Sequence, residues 1–235
     1  MRRWSASRTT HHPRPAPPHP AGGLTIVADK ALSWAYTEEF VPEDDAIADA
    51  RLRAAELGVT PVSAGTGAAL RVLAAAGRAH AVAEVGTGTG VSALWLLGGM
   101  TPDGVLTTID VESEHQRAAR QALAGAGIRP ARTRLIAGRA LDVLPRLADG
   151  AYDLVHVDGD PNEAGDDVAQ AVRLLRPGGI LAVNAALWHD RVADPARRDD
   201  TTVAVRELGR QVREDARLVS ALLPSGDGLL VAVRR

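Results

Sequence analysis

From residue 80 onward the chain alternates between short apolar runs and longer stretches with helical spacing. The runs near 80–85, 104–109, 132–137, 152–157 and 179–184 predict strands, and the stretches near 90–99, 113–125, 139–148 and 164–175 predict helices. Strands and helices in strict alternation predict a parallel sheet covered on both faces. Ahead of this block, 31–40, 44–57 and 62–76 read as three N-terminal helices, with Glu43, Asp44 and Asp45 placing negative charge at the start of the second. The run Arg176-Pro177-Gly178-Gly179 reads as a turn that ends one helix and launches the fifth strand. A polar stretch over 190–200 leads into a helix over 201–214. Two final apolar segments, 218–223 and 228–233, flank Pro224-Ser225-Gly226-Asp227-Gly228, a turn tight enough to predict an antiparallel hairpin. The expected fold class is α/β: a doubly wound, mostly parallel seven-stranded sheet with a C-terminal antiparallel hairpin, preceded by N-terminal helices. No internal repeat is present.

Composition narrows this picture. With 235 residues, 46% apolar but only 3% aromatic, the chain fits one domain with a core built mainly of Ala, Val and Leu. A net charge of −2 gives no electrostatic case for nucleic acid or an anionic membrane as partner. The absence of cysteine excludes disulfides, thiolate chemistry and the usual ligands of structural zinc. No apolar run approaches the ~18 residues of a membrane-spanning helix, and a cytoplasmic location is expected. The N-terminal MRRWSASRTTHHPRPAPPHPAGG lacks apolar periodicity, so residues 1–28 are expected to be a disordered Arg/Pro/His-rich tail ahead of a single domain over 29–235. Arg2 and Arg3 are not followed by the apolar segment an export signal requires.

The chemistry concentrates at AVAEVGTGTG, residues 81–90. Gly86, Gly88 and Gly90 allow the chain to turn sharply from a strand into a helix and let a ligand approach the backbone. Asp110 closes the next strand about 20 residues on, where a carboxylate can accept ribose hydroxyls. A dinucleotide fingerprint needs a third glycine at position 91, which is Val91 here. Glu84, two residues before Gly86, would repel a pyrophosphate but suits a ligand carrying ammonium and sulfonium charges, namely S-adenosylmethionine. An NAD-linked oxidoreductase stays as an alternative, as does a protein that binds S-adenosylmethionine without catalysis.

Five blocks, AEVGTGTGVSALWLL, LTTIDVESEHQRAAR, IAGRALDVLPRL, YDLVHVDGD and LLRPGGILAVNAALW, occur in the order and spacing of the small class I S-adenosylmethionine-dependent O-methyltransferases. From about residue 43 to the C-terminus the chain resembles the catechol and caffeoyl-CoA type, family 3. The resemblance implies the class I methyltransferase fold, a small-molecule acceptor and a homodimer. It also implies cofactor contacts at Val62, Glu84, Gly86, Thr87, Gly88, Ser92, Asp110, Val111, Ala140 and Asp160, with Asp158 facing the acceptor. Ser92 also reads as a possible helix cap, and His156 as a buried, satisfied side chain.

The pattern departs from the family where metal-dependent members hold a divalent cation. Their Asp-Asn pair after the fifth strand corresponds to Asn184 and Ala185, and their lysine after the first acid to Pro161. A hard cation needs oxygen donors, so weak or no metal dependence is expected and no metal ligand is assigned; the alternative is a Mg²⁺ shell completed by water around Asp158 and Asn184. His189, after Trp188, is the candidate catalytic base and acceptor contact, because imidazoles titrate in the range that suits proton removal from an acidic hydroxyl.

Overall fold

The alternation along the chain becomes a layered sheet in the computed structural model, which describes residues 23–235. The chain divides between Ala35 and Tyr36, and the whole sheet belongs to the second unit. In order the elements are α1 (Gly23–Glu39), α2 (Asp45–Glu56), α3 (Ala64–Ala76), β1 (Ala81–Val85), α4 (Val91–Gly99), β2 (Val105–Asp110), α5 (Ser113–Gly125) and β3 (Thr133–Ala137). There follow α6 (Ala140–Val143), β4 (Tyr152–Val157), α7 (Ala164–Leu174), β5 (Leu175–Val183), α8 (Asp200–Glu214), β6 (Leu218–Leu223) and β7 (Leu229–Arg234). Asp44, Ser63 and Asp199 cap α2, α3 and α8, each accepting from a backbone N–H three residues on.

The sheet runs β3-β2-β1-β4-β5-β7-β6. β1 to β5 are mutually parallel, and β7 pairs antiparallel with both β5 and β6. This is the expected doubly wound sheet with its terminal hairpin. Each face of the sheet buries its own core. Ala83 and Val85 of β1 pack with α7 and α8, through Val168, Ala171, Leu208 and Val212. Val82 packs on the other face with α2 to α5, through Ile47, Leu70, Leu96 and Leu123. Successive strand residues point to opposite faces, and both faces are covered. α3 and α4 approach so closely that a Cβ on Gly67 would lie 2.3 Å from the Trp95 indole.

Four expectations change in detail. α1 begins at Gly23, eight residues before the predicted start at 31, so only residues 1–22 of the expected tail lie outside the described residues. Val62 precedes α3 rather than sitting inside it, because Ser63 takes the cap position. The helix expected over 139–148 is a four-residue α6 followed by a single 3-10 turn, Leu144–Arg146, since Pro145 lacks the N–H an α-helix needs there. The turn at 176–179 lies inside β5 as a bulge: Leu175 pairs with Tyr152 and Ile180 with Leu154.

Strand order reverses between β1 and β4, their helices α4 and α7 lying on opposite faces. The carboxyl ends of such a pair splay apart into a crevice, the standard binding position in open α/β sheets.

Candidate active site

Gly86 is the first residue beyond β1, at φ +88°. A Cβ there would stand 2.1 Å from the Asp158 carbonyl oxygen, so no side chain fits and the loop closes directly onto the end of β4. Gly90, at φ +92°, starts α4 without any side-chain cap, and α4 then carries Ser92 into the interior. Above this loop lies a cleft of about 440 Å³. Its lining includes Gly86, Thr87, Gly88 and Ser92 of the loop and α4, Asp110 and Val111 at the end of β2, Ala140, Asp158 and Asp160 after β4, and Val62.

Asp110 is tied to this loop. Its Oδ2 accepts from the Gly88 N–H at 2.8 Å and its Oδ1 from the Glu112 N–H at 2.8 Å, with His115 Nδ1 3.4 Å from Oδ1. Each carboxylate oxygen keeps a second lone pair for a ligand. Val111 is 63% exposed, an apolar shelf at the mouth. Asp160 is braced by Asn162, whose backbone and side-chain N–H groups both donate to Oδ1 at 2.9 Å. Ser92 makes no helix cap, which removes the competing structural reading of its hydroxyl.

Glu84 departs from expectation. It does not line the cleft and is fully buried. Strand parity gives the reason: Val85 faces the cleft, so Glu84 faces the opposite side of the sheet. There its Oε2 accepts from Thr108 Oγ1 at 2.7 Å and its Oε1 lies 3.3 Å from His156 Nδ1. Thr108 lies 2.6 Å from Thr87 Oγ1, which accepts from Gln116 Nε2 at 3.0 Å. A buried polar chain thus runs beneath the glycine loop from β4 to α5. His156 is the buried residue expected, but its Nε2 has no partner among the described residues.

A second cavity of about 600 Å³ opens beside the cleft, with Val62, Asp158 and Gly159 in both linings. Asp158 Oδ1 accepts from Asn184 Nδ2 at 2.9 Å. Burial pushes the Asp158 carboxyl up to about 6, against the opposing pull of His156 and the Asn184 hydrogen bond. The far side of this cavity is the segment after β5, where Ala185, Trp188, His189 and Asp190 all take positive φ. His189 sits at this rim with its side chain 68% exposed. Its backbone N–H donates to both Asp227 carboxylate oxygens, at 2.7 and 2.8 Å, and its Nδ1 lies 3.4 Å from Asp227 Oδ2. The Trp188 ring packs on the imidazole at 5.0 Å.

The donors around Asp158 do not fit a hard cation. Asn184 turns an N–H toward the carboxylate, Ala185 offers no side-chain oxygen, and no group of three His, Cys, Asp or Glu side chains converges among the described residues.

Two site residues escape the sequence reading. Asp227 lies in a hairpin turn where an acid carries no signal of its own. Asp167 does leave one: it falls on the buried face of α7 with Ala164, Val168 and Ala171, an acid at an apolar position.

The O-methyltransferase family model matches residues 43–235. A relative from Mycobacterium tuberculosis, classed with the O-methyltransferases, is 52% identical over 224 residues, 95% of this chain and 97% of its own. A solved structure from Corynebacterium glutamicum superposes with TM-score 0.81 at 36% identity, over 88% of this chain and 97% of its own. An O-methyltransferase from Streptomyces achromogenes involved in tomaymycin synthesis, solved in complex with S-adenosylmethionine, superposes with TM-score 0.77 at 28% identity, over 87% of this chain and 96% of its own. No helix among the described residues is long and apolar enough to cross a membrane.

Proposed function

The chain belongs to the O-methyltransferase family, and from that premise we propose that it methylates an acidic hydroxyl of a small molecule without a divalent cation. S-adenosylmethionine is its methyl donor, and the proposed seat of the donor is the 440 Å³ cleft. The observation that carries this reading is the pair of cavities meeting at Asp158 and Val62. One holds the donor, the other the acceptor, and the two reacting atoms are brought together at the shared wall.

When bound, the cofactor supplies an activated methyl group on a sulfonium, so what the protein must add is mainly position. Asp110 accepts the ribose hydroxyls with the lone pairs that Gly88 and Glu112 leave free. Gly86, Thr87 and Gly88 admit the ligand close to the backbone, Ser92 and Val62 hold the methionine end, and Val111 and Ala140 flank the adenine. Asp160 sits near the cofactor's amino group. Asp158, half-buried at the junction, bonds the acceptor oxygen, and His189 removes its proton, held in place by Asp227. With no cation to acidify the acceptor, the best substrates are phenols and other acidic hydroxyls. A homodimer and a cytoplasmic location complete the reading.

The test is methyl transfer to a panel of phenols by protein stripped with EDTA. The rate should be unchanged by EDTA or by added Mg²⁺, and His189→Ala should lower kcat about a hundredfold or more. Activity that requires Mg²⁺ would overturn the metal-free reading. An unaltered kcat in His189→Ala would remove the imidazole from the chemistry.

A further inference from the structure

Asp167 lies on the face of α7 that packs against the sheet, beside Val168 and Ala171. It is only 1% exposed, yet its Oδ1 has no hydrogen-bond partner among the described residues, and it lines the proposed cofactor cleft. An unpaired carboxyl in a core position carries a desolvation cost that another Val or Ala would avoid. The neighbouring position 159 is glycine, and a Cβ there would stand 3.6 Å from Asp167 Oδ2. Glycine at this position thus places no side chain between the carboxyl and the cleft.

Among the described residues no base neutralises it. The charged groups acting on it are Glu163 at the N-cap of α7, Asp166 in its first turn and Asp160 from the loop after β4, all acids. The other ionisable groups lining the cleft are Asp110, Glu112 and His115 near the β2 end, Asp158 at the β4 end, and Arg139, which is already paired with Glu163. Burial, reinforced by the acidic neighbours, pushes the Asp167 carboxyl up to about 7. Below that pH it has an O–H to donate as well as a carbonyl oxygen to accept.

Its place in the cleft says what it meets. The methyl must point toward the acceptor cavity at Asp158, and the ribose belongs at Asp110. The base attached to that ribose is then left with the wall made by Gly138, Ala140 and α7, where Asp167 is the unpaired polar group. We propose that Asp167 reads the adenine of the cofactor, accepting from its N6 amine and donating to its N1. This rests on the cofactor assignment made above.

The test is calorimetric titration with S-adenosylhomocysteine and with its 1-deaza analogue, in which a C–H replaces N1. Wild type should bind the adenine compound about tenfold more tightly than the 1-deaza compound. Asp167→Leu should lose about that factor for S-adenosylhomocysteine and with it the preference. Asp167→Asn, which keeps one donor and one acceptor, should retain the preference and remove the weakening of wild-type binding expected between pH 6 and 8. Thermal melts confirm that each variant is folded. Asp167→Leu binding both compounds as wild type does, or losing both equally, would overturn the proposal. Wild type binding neither would instead overturn the cofactor assignment itself.

Discussion

Single residues decide which groups are charged in this site. Asp158 and Asp167 have carboxyls pushed up to about 6 and about 7 from an ordinary 3.8, burial being the main cause in both. A carboxyl whose folded pKa lies above its unfolded one favours the uncharged, proton-bound native state. Its contribution is fully present below the unfolded value and is lost as pH rises through the folded one. The free protein should therefore lose thermal stability between about pH 4 and pH 7, and Asp167→Asn should level part of that fall. Melting curves across this range check it; a wild-type midpoint independent of pH would contradict the burial argument. At this scale the sequence was legible wherever backbone geometry forces a residue type, as at Gly86, or where an acid closes a strand, as at Asp110. It did not show that Glu84 lies outside the cleft lining, because a strand buried on both faces gives no polar side by which to tell its parity. Asp167 was visible only as an exception to the apolar face of α7, and Asp227 not at all.

Elements followed the apolar pattern closely, and the exceptions have local causes. Pro145 cut the sixth helix short, and the bulge at 176–179 belongs to β5 because Leu175 already pairs with β4. Neither event changes hydrophobic spacing, so neither could be read from it. The contact of α3 with α4 was equally hidden, since it depends on the missing side chain of Gly67 against Trp95. Gly67→Ala should destabilise the protein by about 1–3 kcal/mol through overpacking. Urea unfolding measures this, and an unchanged midpoint would mean the two helices can separate freely. Because α4 begins at the glycine loop of the proposed donor cleft, the same variant should also weaken cofactor binding.

At the level of the whole molecule, the sheet order made the site predictable: reversal between β1 and β4 places a crevice where the glycine loop and Asp110 converge. The second cavity meets this crevice at Asp158, beside Asn184, Ala185 and Pro161. The expected homodimer should appear in light scattering as twice the mass of one chain, and a monomer at micromolar concentration would contradict it. The central claim is that the crevice holds S-adenosylmethionine independently of metal. The most direct measurement is calorimetric titration of S-adenosylhomocysteine into wild type and Asp110→Ala, first with Mg²⁺ and then with EDTA. The account predicts micromolar binding to wild type that EDTA does not change, and a loss of at least about tenfold in Asp110→Ala as a buried, charged hydrogen-bond acceptor disappears. Binding that needs Mg²⁺, or that survives Asp110→Ala undiminished, would contradict it.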